Sequence, residues 1–479
     1  MIDSQQHRNP LRWALLLMLI GIVVSLLEPI PQLKFQAQRF VELGVAIALL
    51  VWAYRPQPAV LLDQRPVSGW YALGLLGFTA TAVLAGASGP VPWISLGFLG
   101  LVLLQFSLIP LLRSAWRHHK GDTERLLALF SLAVLGMDVG LWLLAHVHRI
   151  APYVWVRQLG PDGLISSAPY LFLNPRWANQ LTLLLIWSFI PLLQQLQSGV
   201  IQQHRRFWWW VAIAVPWLGM AQVVLSQGDG AFFAIGFGMA ALAVLGLHSE
   251  PGQRRLCWVA VAVLASGTLL AALLSAGLDG SQFFGLLVDR NAAELTPATP
   301  ETDKRLVLWS AYLRSAWAHP WLGQGIAAIP ADSPACTPHS LWLALLQGVG
   351  GIGALAAALL TTGFVPRRVH QLQQRAPWAL PLLVALFVYQ LVDDLWLRPL
   401  SLAVLLIVLP GLLVERPLQD VACDPGWLAR LALPLRTWRL LALVGVLWIT
   451  LSAVHPAGVG FGPSQLVRAS ARGVCLLLF

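Results

Sequence analysis

Apolar runs of membrane-spanning length recur along the chain from residue 11 to residue 454, separated mostly by short polar or basic connections. A bilayer core of about 30 Å takes about 20 apolar residues of helix, because backbone amides cannot stay unpaired in hydrocarbon. On that rule the pattern predicts spans at 11–27, 40–54, 69–86, 91–112, 126–146, 179–196, 207–225, 230–247, 256–277, 340–363, 377–395, 399–414 and 438–454. The second and the last two are short. The expectation is therefore an all-α, polytopic integral membrane protein of 12 or 13 transmembrane helices, forming a single membrane domain over residues 1–479. Glu28-Pro29-Ile30-Pro31 follows the first run and offers no small-x-small cleavage site, so that helix is expected to be retained. The final segment, 463–479, ends in an apolar stretch too short to span.

Composition agrees with the pattern. The chain is 57% hydrophobic with a mean hydropathy of +0.70, and only 11% of its residues are Asp, Glu, Lys or Arg, against about 25% in a soluble domain. A net charge of +10 would suit a nucleic-acid surface if the cations formed one patch. Instead they lie in short clusters between apolar runs, which argues against a nucleic-acid partner and for orientation in membrane lipids. With the amino terminus cytoplasmic, 19 of the 31 Lys and Arg residues fall in cytoplasmic segments and 12 on the other side. The excess follows the positive-inside rule, although the other face owns the two longest loops, 147–178 and 278–339. Cys257, Cys336, Cys423 and Cys475 stand far apart without metal-binding or framework spacing.

Chemistry is expected in those two extracytoplasmic loops, and one stretch carries most of the information. It reads Arg305-Leu-Val-Leu-Trp309, then His319-Pro320-Trp-Leu-Gly323-Gln-Gly325, then Pro338-His339-Ser340-Leu-Trp-Leu343, then Gly350-Gly351-Ile-Gly353 inside an apolar helix. This ordered set resembles the signature region of the O-antigen ligase and polymerase family, with an R-x-x-x-W helix, a P-x-x-G-x-G turn, an H-[NS]-x-x-L helix start and a small-residue patch in the helix at 340–363. Asn174-Pro175-Arg176-Trp177-Ala178-Asn179-Gln180, continuing to Ile190-Pro191, is similar to a second family pattern, N-x-R-x-x-x-Q.

The resemblance implies a bacterial inner-membrane glycosyltransferase, metal-independent and without cofactor. It would move sugar from a polyprenyl-diphosphate-linked glycan donor to a glycan, lipid A core or protein hydroxyl acceptor. His339 would be the catalytic base, with Arg305 and Arg176 binding the donor diphosphate. Physical chemistry makes these roles plausible. An imidazole beside a positive helix end is expected to be neutral and able to take a proton, and a guanidinium stays charged and binds two phosphate oxygens at once. The bland alternatives are an interfacial capping His and arginines touching lipid headgroups.

One departure stands out. The family places an Arg where this chain reads Ser226-Gln227-Gly228-Asp229-Gly230, so Gln227 or Asp229 replaces it, and an Asp there is expected to hold Arg176 or Arg305. Asp393, Asp394 and Arg398 are expected as a local ion pair bordering the acceptor site. Asp138 and His146, at bilayer depth, read as interhelical hydrogen bonding. Gly323 and Gly325 should permit a tight turn, and Gly350 and Gly353 close helix packing. Two other classes stay open: a transporter or exporter of anions or polysaccharide, which predicts discontinuous helices, and a non-catalytic scaffold, which the missing Arg favours.

Overall fold

The computed structural model describes residues 9–26, 31–55, 67–148, 175–226, 228–278, 301–330, 333, 338–363, 376–393, 400–415 and 433–454. In chain order the helices are α1 (Pro10–Leu26), α2 (Pro31–Tyr54), α3 (Gly69–Ser88), α4 (Pro92–His148), α5 (Pro175–Leu185), α6 (Phe189–Gln197), α7 (Arg205–Leu225), α8 (Asp229–Leu247), α9 (Pro251–Leu278), α10 (Glu301–Ala318), α11 (Leu341–Thr362), α12 (Ala379–Val392), α13 (Ser401–Glu415) and α14 (Leu435–Val454). No strand occurs among the described residues. Eight of these helices are long and apolar enough to cross a membrane, and α1, α12 and α13 hold shorter apolar stretches. The protein is an all-α, multi-pass membrane protein, and each expected span coincides with a helix or part of one.

Four differences from the sequence pattern have physical causes. The spans expected at 91–112 and 126–146 are joined in one helical run, α4, broken only at His119 (φ −121°, ψ 23°). The two halves bond different helices. Trp93 O accepts from Ser452 Oγ at one end of the bundle, and Trp116 donates to Ile407 O further along. Beyond the break, Gly121 O and Glu124 accept from Gln195, then Ser131 meets Ser188. Just beyond the break Arg125 donates to Asp122 Oδ1 and to Gly121 O within a single turn.

Helix α2 starts at Pro31, well before the apolar run. Three polar residues around its expected start, Gln38, Arg39 and Glu42, are buried inside the bundle. Arg39 bonds Glu42 at 2.5 Å, Glu42 Oε1 accepts from Gln105 Nε2 of α4 at 2.6 Å, and Gln38 donates to Ser25 of α1 at 3.4 Å. The sixth span is interrupted by one 3-10 turn, Ile186–Ser188, where Ile186 packs against Gly219 of α7 and Trp187 fills the space over Gly238 of α8.

Gly350 is the sharpest departure. Expected to ease helix packing, it instead breaks α11 (φ 66°, ψ −173°). Breaking the ladder there releases two carbonyls and two amides, and the turn after α10 takes all four. Gln324 N donates to Gln347 O at 2.9 Å and Gly325 N to Gly348 O at 2.8 Å; Gly351 N donates to Pro320 O at 2.7 Å and Ile352 N to Trp321 O at 3.3 Å. The backbones approach so closely that a side-chain carbon at Gly350 would lie 2.3 Å from the Trp321 carbonyl carbon, and one at Gly323 2.6 Å from Gly348. Both glycines, and Gly325, have positive φ, a region only glycine enters without strain. Gly353 does serve packing, against Thr81 of α3.

Candidate functional site

His339 and Asp393 meet at one end of the bundle. His339 directly precedes the N-cap of α11 and Asp393 directly follows α12. Nδ1 of the imidazole lies 3.7 Å from Asp393 Oδ1, within ion-pair range but too long for a hydrogen bond. The other carboxylate oxygen accepts from Tyr389 OH at 3.0 Å and from Gln180 Nε2 at 3.2 Å. Tyr389 is one turn before Asp393, which puts both on one face of α12. Gln180 comes from α5, so the second motif region reaches the first through Asp393. The carboxylate is buried and the imidazole about a quarter exposed, an arrangement that fixes the acid and leaves the ring open.

His339 adopts a left-handed backbone (φ 49°). For a residue with a side chain this costs about 1–3 kcal/mol and concentrates at functional sites. Ser340 occupies the N-cap with extended φ/ψ, but its hydroxyl makes no cap hydrogen bond; its carbonyl instead receives Ala344 N at 3.0 Å.

Helix α10 is tied to this corner. Trp309 Nε1 donates to Pro338 O at 2.8 Å, and Ser315 donates to Gln324 Oε1 at 3.0 Å. Arg305 lies one turn before Trp309, on the side of α10 that meets Pro338, and is itself exposed. It forms no ion pair with a carboxylate among the described residues, so Asp229 does not hold it. Asp229 instead opens α8 as its first-turn acid, a favourable place beside the helix dipole. The adjoining Gly230 packs against Val392 and the Tyr389 ring, and Gly228 against Asn179, whose Oδ1 accepts from Ser226 at 2.7 Å. The α7–α8 corner thus abuts the Tyr389–Asp393 face.

Arg176 lies one turn before Gln180 on α5, with its side chain outside the described residues, as are Gln227, Asp394 and Arg398. The local pair expected for Asp393 with Arg398 therefore lies outside the described residues, while the Tyr389, Gln180 and His339 partners are new. Asp138 is buried in the second half of α4, and the side chain of His146 falls outside. No group of three metal-ligating side chains occurs among the described residues.

Sequence reasoning reached His339 and Asp393 separately, met Gln180 only as the last residue of the N-x-R-x-x-x-Q pattern without giving it a role, and did not single out Tyr389. Their signal was available: Tyr389 precedes Asp393 by one turn, and Gln180 is a polar residue within an apolar run. Fold and site together define an all-helical multi-pass membrane protein with a buried-acid, open-imidazole cluster at one end of its bundle. No protein-family model matches the chain, and no curated protein matches it.

Proposed function

We propose that the protein is a membrane glycosyltransferase of the O-antigen ligase or polymerase type. It would transfer a sugar or oligosaccharide from a polyprenyl-diphosphate carrier to an acceptor hydroxyl. The observation that carries this reading is the meeting of His339 with Asp393 and Gln180. Three segments remote in sequence, two of them bearing the motifs, converge on the Asp393 carboxylate, which faces the imidazole, at the bundle end where α10 brings Arg305. A general base needs its ring oriented and one nitrogen open to substrate. Asp393 faces Nδ1, and we assign the acceptor's proton to Nε2.

In the proposed step the acceptor oxygen attacks the anomeric carbon as its proton passes to Nε2 of His339. The bond from that carbon to the diphosphate oxygen breaks, and polyprenyl diphosphate leaves with the electron pair. Asp393 stabilises the imidazolium formed, and Arg305, with Arg176, stabilises the charge on the departing diphosphate. In this reading the site end of the bundle faces the extracytoplasmic side of a bacterial inner membrane and the amino terminus is cytoplasmic, a topology that the positive-inside distribution supports.

A transporter reading draws on one specific observation, the discontinuity of α11 at Gly350. Helix breaks at ion sites leave carbonyls for the ion, whereas here the carbonyls of Gln347 and Gly348 receive loop amides, so we rank it second. The deciding experiment incubates purified protein with a polyprenyl-diphosphate glycan and candidate acceptors. Release of carrier diphosphate that His339→Ala abolishes supports transfer. Glycan flux across proteoliposomes without such release would replace the proposal with the transporter.

A further inference from the structure

Helix α10 turns an apolar face away from the protein. Leu308, Ala311 and Tyr312 are buried against the bundle, while Leu306 (60% exposed), Leu313 (51%) and Trp317 (86%) line the opposite side, and Trp321 (70%) extends it into the following turn. A row at positions 306, 313 and 317 is one helical stripe, so this is a face and not scattered exposure.

We infer that this face lies in the bilayer interface, with α10 an in-plane helix whose Leu306, Leu313 and Trp317 enter the boundary between headgroups and acyl chains. Continuity commits the occupant. The Trp321 carbonyl accepts from the amide of Ile352, and Ile352, with Leu355 beyond it, is an exposed apolar residue on α11, a helix long and apolar enough to span. The α10 face and the lipid-facing side of α11 are therefore one apolar surface joined by a backbone hydrogen bond. Tryptophan suits the interface because its ring is apolar and its N–H polar. Arg314, next to the stripe and bonded to Ser310 at 3.3 Å, can meet anionic headgroups. The consequence is geometric: Trp309, at the edge of the stripe three residues after Leu306 and four before Leu313, donates to Pro338 O and so ties His339 to headgroup depth. This inference stands whether or not the protein transfers sugar.

The test places a nitroxide on cysteine at Leu313 or Trp317 in the full chain, with the four native cysteines changed to alanine, in phosphatidylethanolamine–phosphatidylglycerol vesicles. Labels at Leu355, on α11, and at Val200, in the α6–α7 connection, calibrate lipid and water. The expected result is an oxygen-to-nickel-chelate accessibility ratio several-fold above that at Val200 and below that at Leu355. A ratio equal to that at Val200 overturns the inference, as does exclusion of both reagents, which would mean a protein covers the face. With native cysteines kept, headgroup-proximal brominated lipids should quench tryptophan emission less in W317F/W321F than in wild type. Equal quenching would also overturn it.

Discussion

The buried carboxylate of Asp393 is held by Tyr389 and Gln180 on one oxygen and faces Nδ1 of His339 with the other. Two hydrogen bonds on Oδ2 leave Oδ1 aimed at the ring, so the carboxylate can orient the imidazole and stabilise its protonated form. Asp393→Asn should therefore lower kcat for glycan transfer with little change in KM for the donor. Loss of the proposed base, in His339→Ala, should cost about 10²–10⁴-fold, the usual span for general-base catalysis. Release of polyprenyl diphosphate by purified variants of equal thermal stability measures both. An Asp393→Asn enzyme with unchanged kcat would reduce Asp393 to a structural cap.

Arg305 differs in its expected signature. It is exposed on the α10 side that meets Pro338, so its removal should cost little stability, whereas donor binding should suffer. Arg305→Ala is expected to raise KM for the diphosphate donor, and Arg305→Lys to recover only part of the loss, because an ammonium cannot bind two oxygens side by side. Trp309→Phe removes the bond to Pro338 O, worth about 0.5–1.5 kcal/mol, and should move KM in the same direction by a smaller factor. Steady-state kinetics over a donor series checks the ordering.

The break in α11 makes a stability prediction. Gly350 combines positive φ with backbone 2.3 Å from any added side-chain carbon, so Gly350→Ala should lower the unfolding temperature in detergent strongly. The conformational strain alone is about 1–3 kcal/mol. Gly236→Ala, in α8 with nothing within 4 Å of the added carbon, should be neutral or slightly stabilising, since alanine is the better helix former by about 1 kcal/mol. Similar losses for both would mean that the Gly350 turn is not required.

The spans were legible because hydrocarbon demands apolar helices of fixed length, and that signal survives in any single sequence. What was hidden was satisfied locally by partners remote in the chain. Gln38 and Arg39, just ahead of the apolar run, made the start of α2 look like a loop, yet inside the bundle Gln38 bonds Ser25 and Arg39 bonds Glu42, which also accepts from Gln105. Gly350 looked like a packing glycine because helical periodicity continues on both sides of it; only the returning turn at Pro320–Gly325 explains the break. His339 was readable from its motif. Its tie to Asp393 was not, because the sequence offered Asp393 a closer partner in Arg398, and helix packing, not spacing, brings α12 to the start of α11.

The Arg39–Glu42–Gln105 cluster carries the last prediction. Glu42 is fully buried, accepts from Arg39 on one oxygen and from Gln105 on the other, and lies among apolar helices α1, α2 and α4. Desolvating two charges is costly, so such a pair adds little net stability over an apolar replacement, but removing one partner strands the other at about 3–5 kcal/mol. Glu42→Gln should thus destabilise the protein or reduce its membrane insertion. The double variant R39M/E42L should recover most of that loss, since no buried charge remains. Thermal unfolding of the three proteins in one detergent reads the difference. If the double variant melts below the single one, the pair contributes more than its own neutralisation, and its role in the packing of α2 is larger than mutual charge compensation.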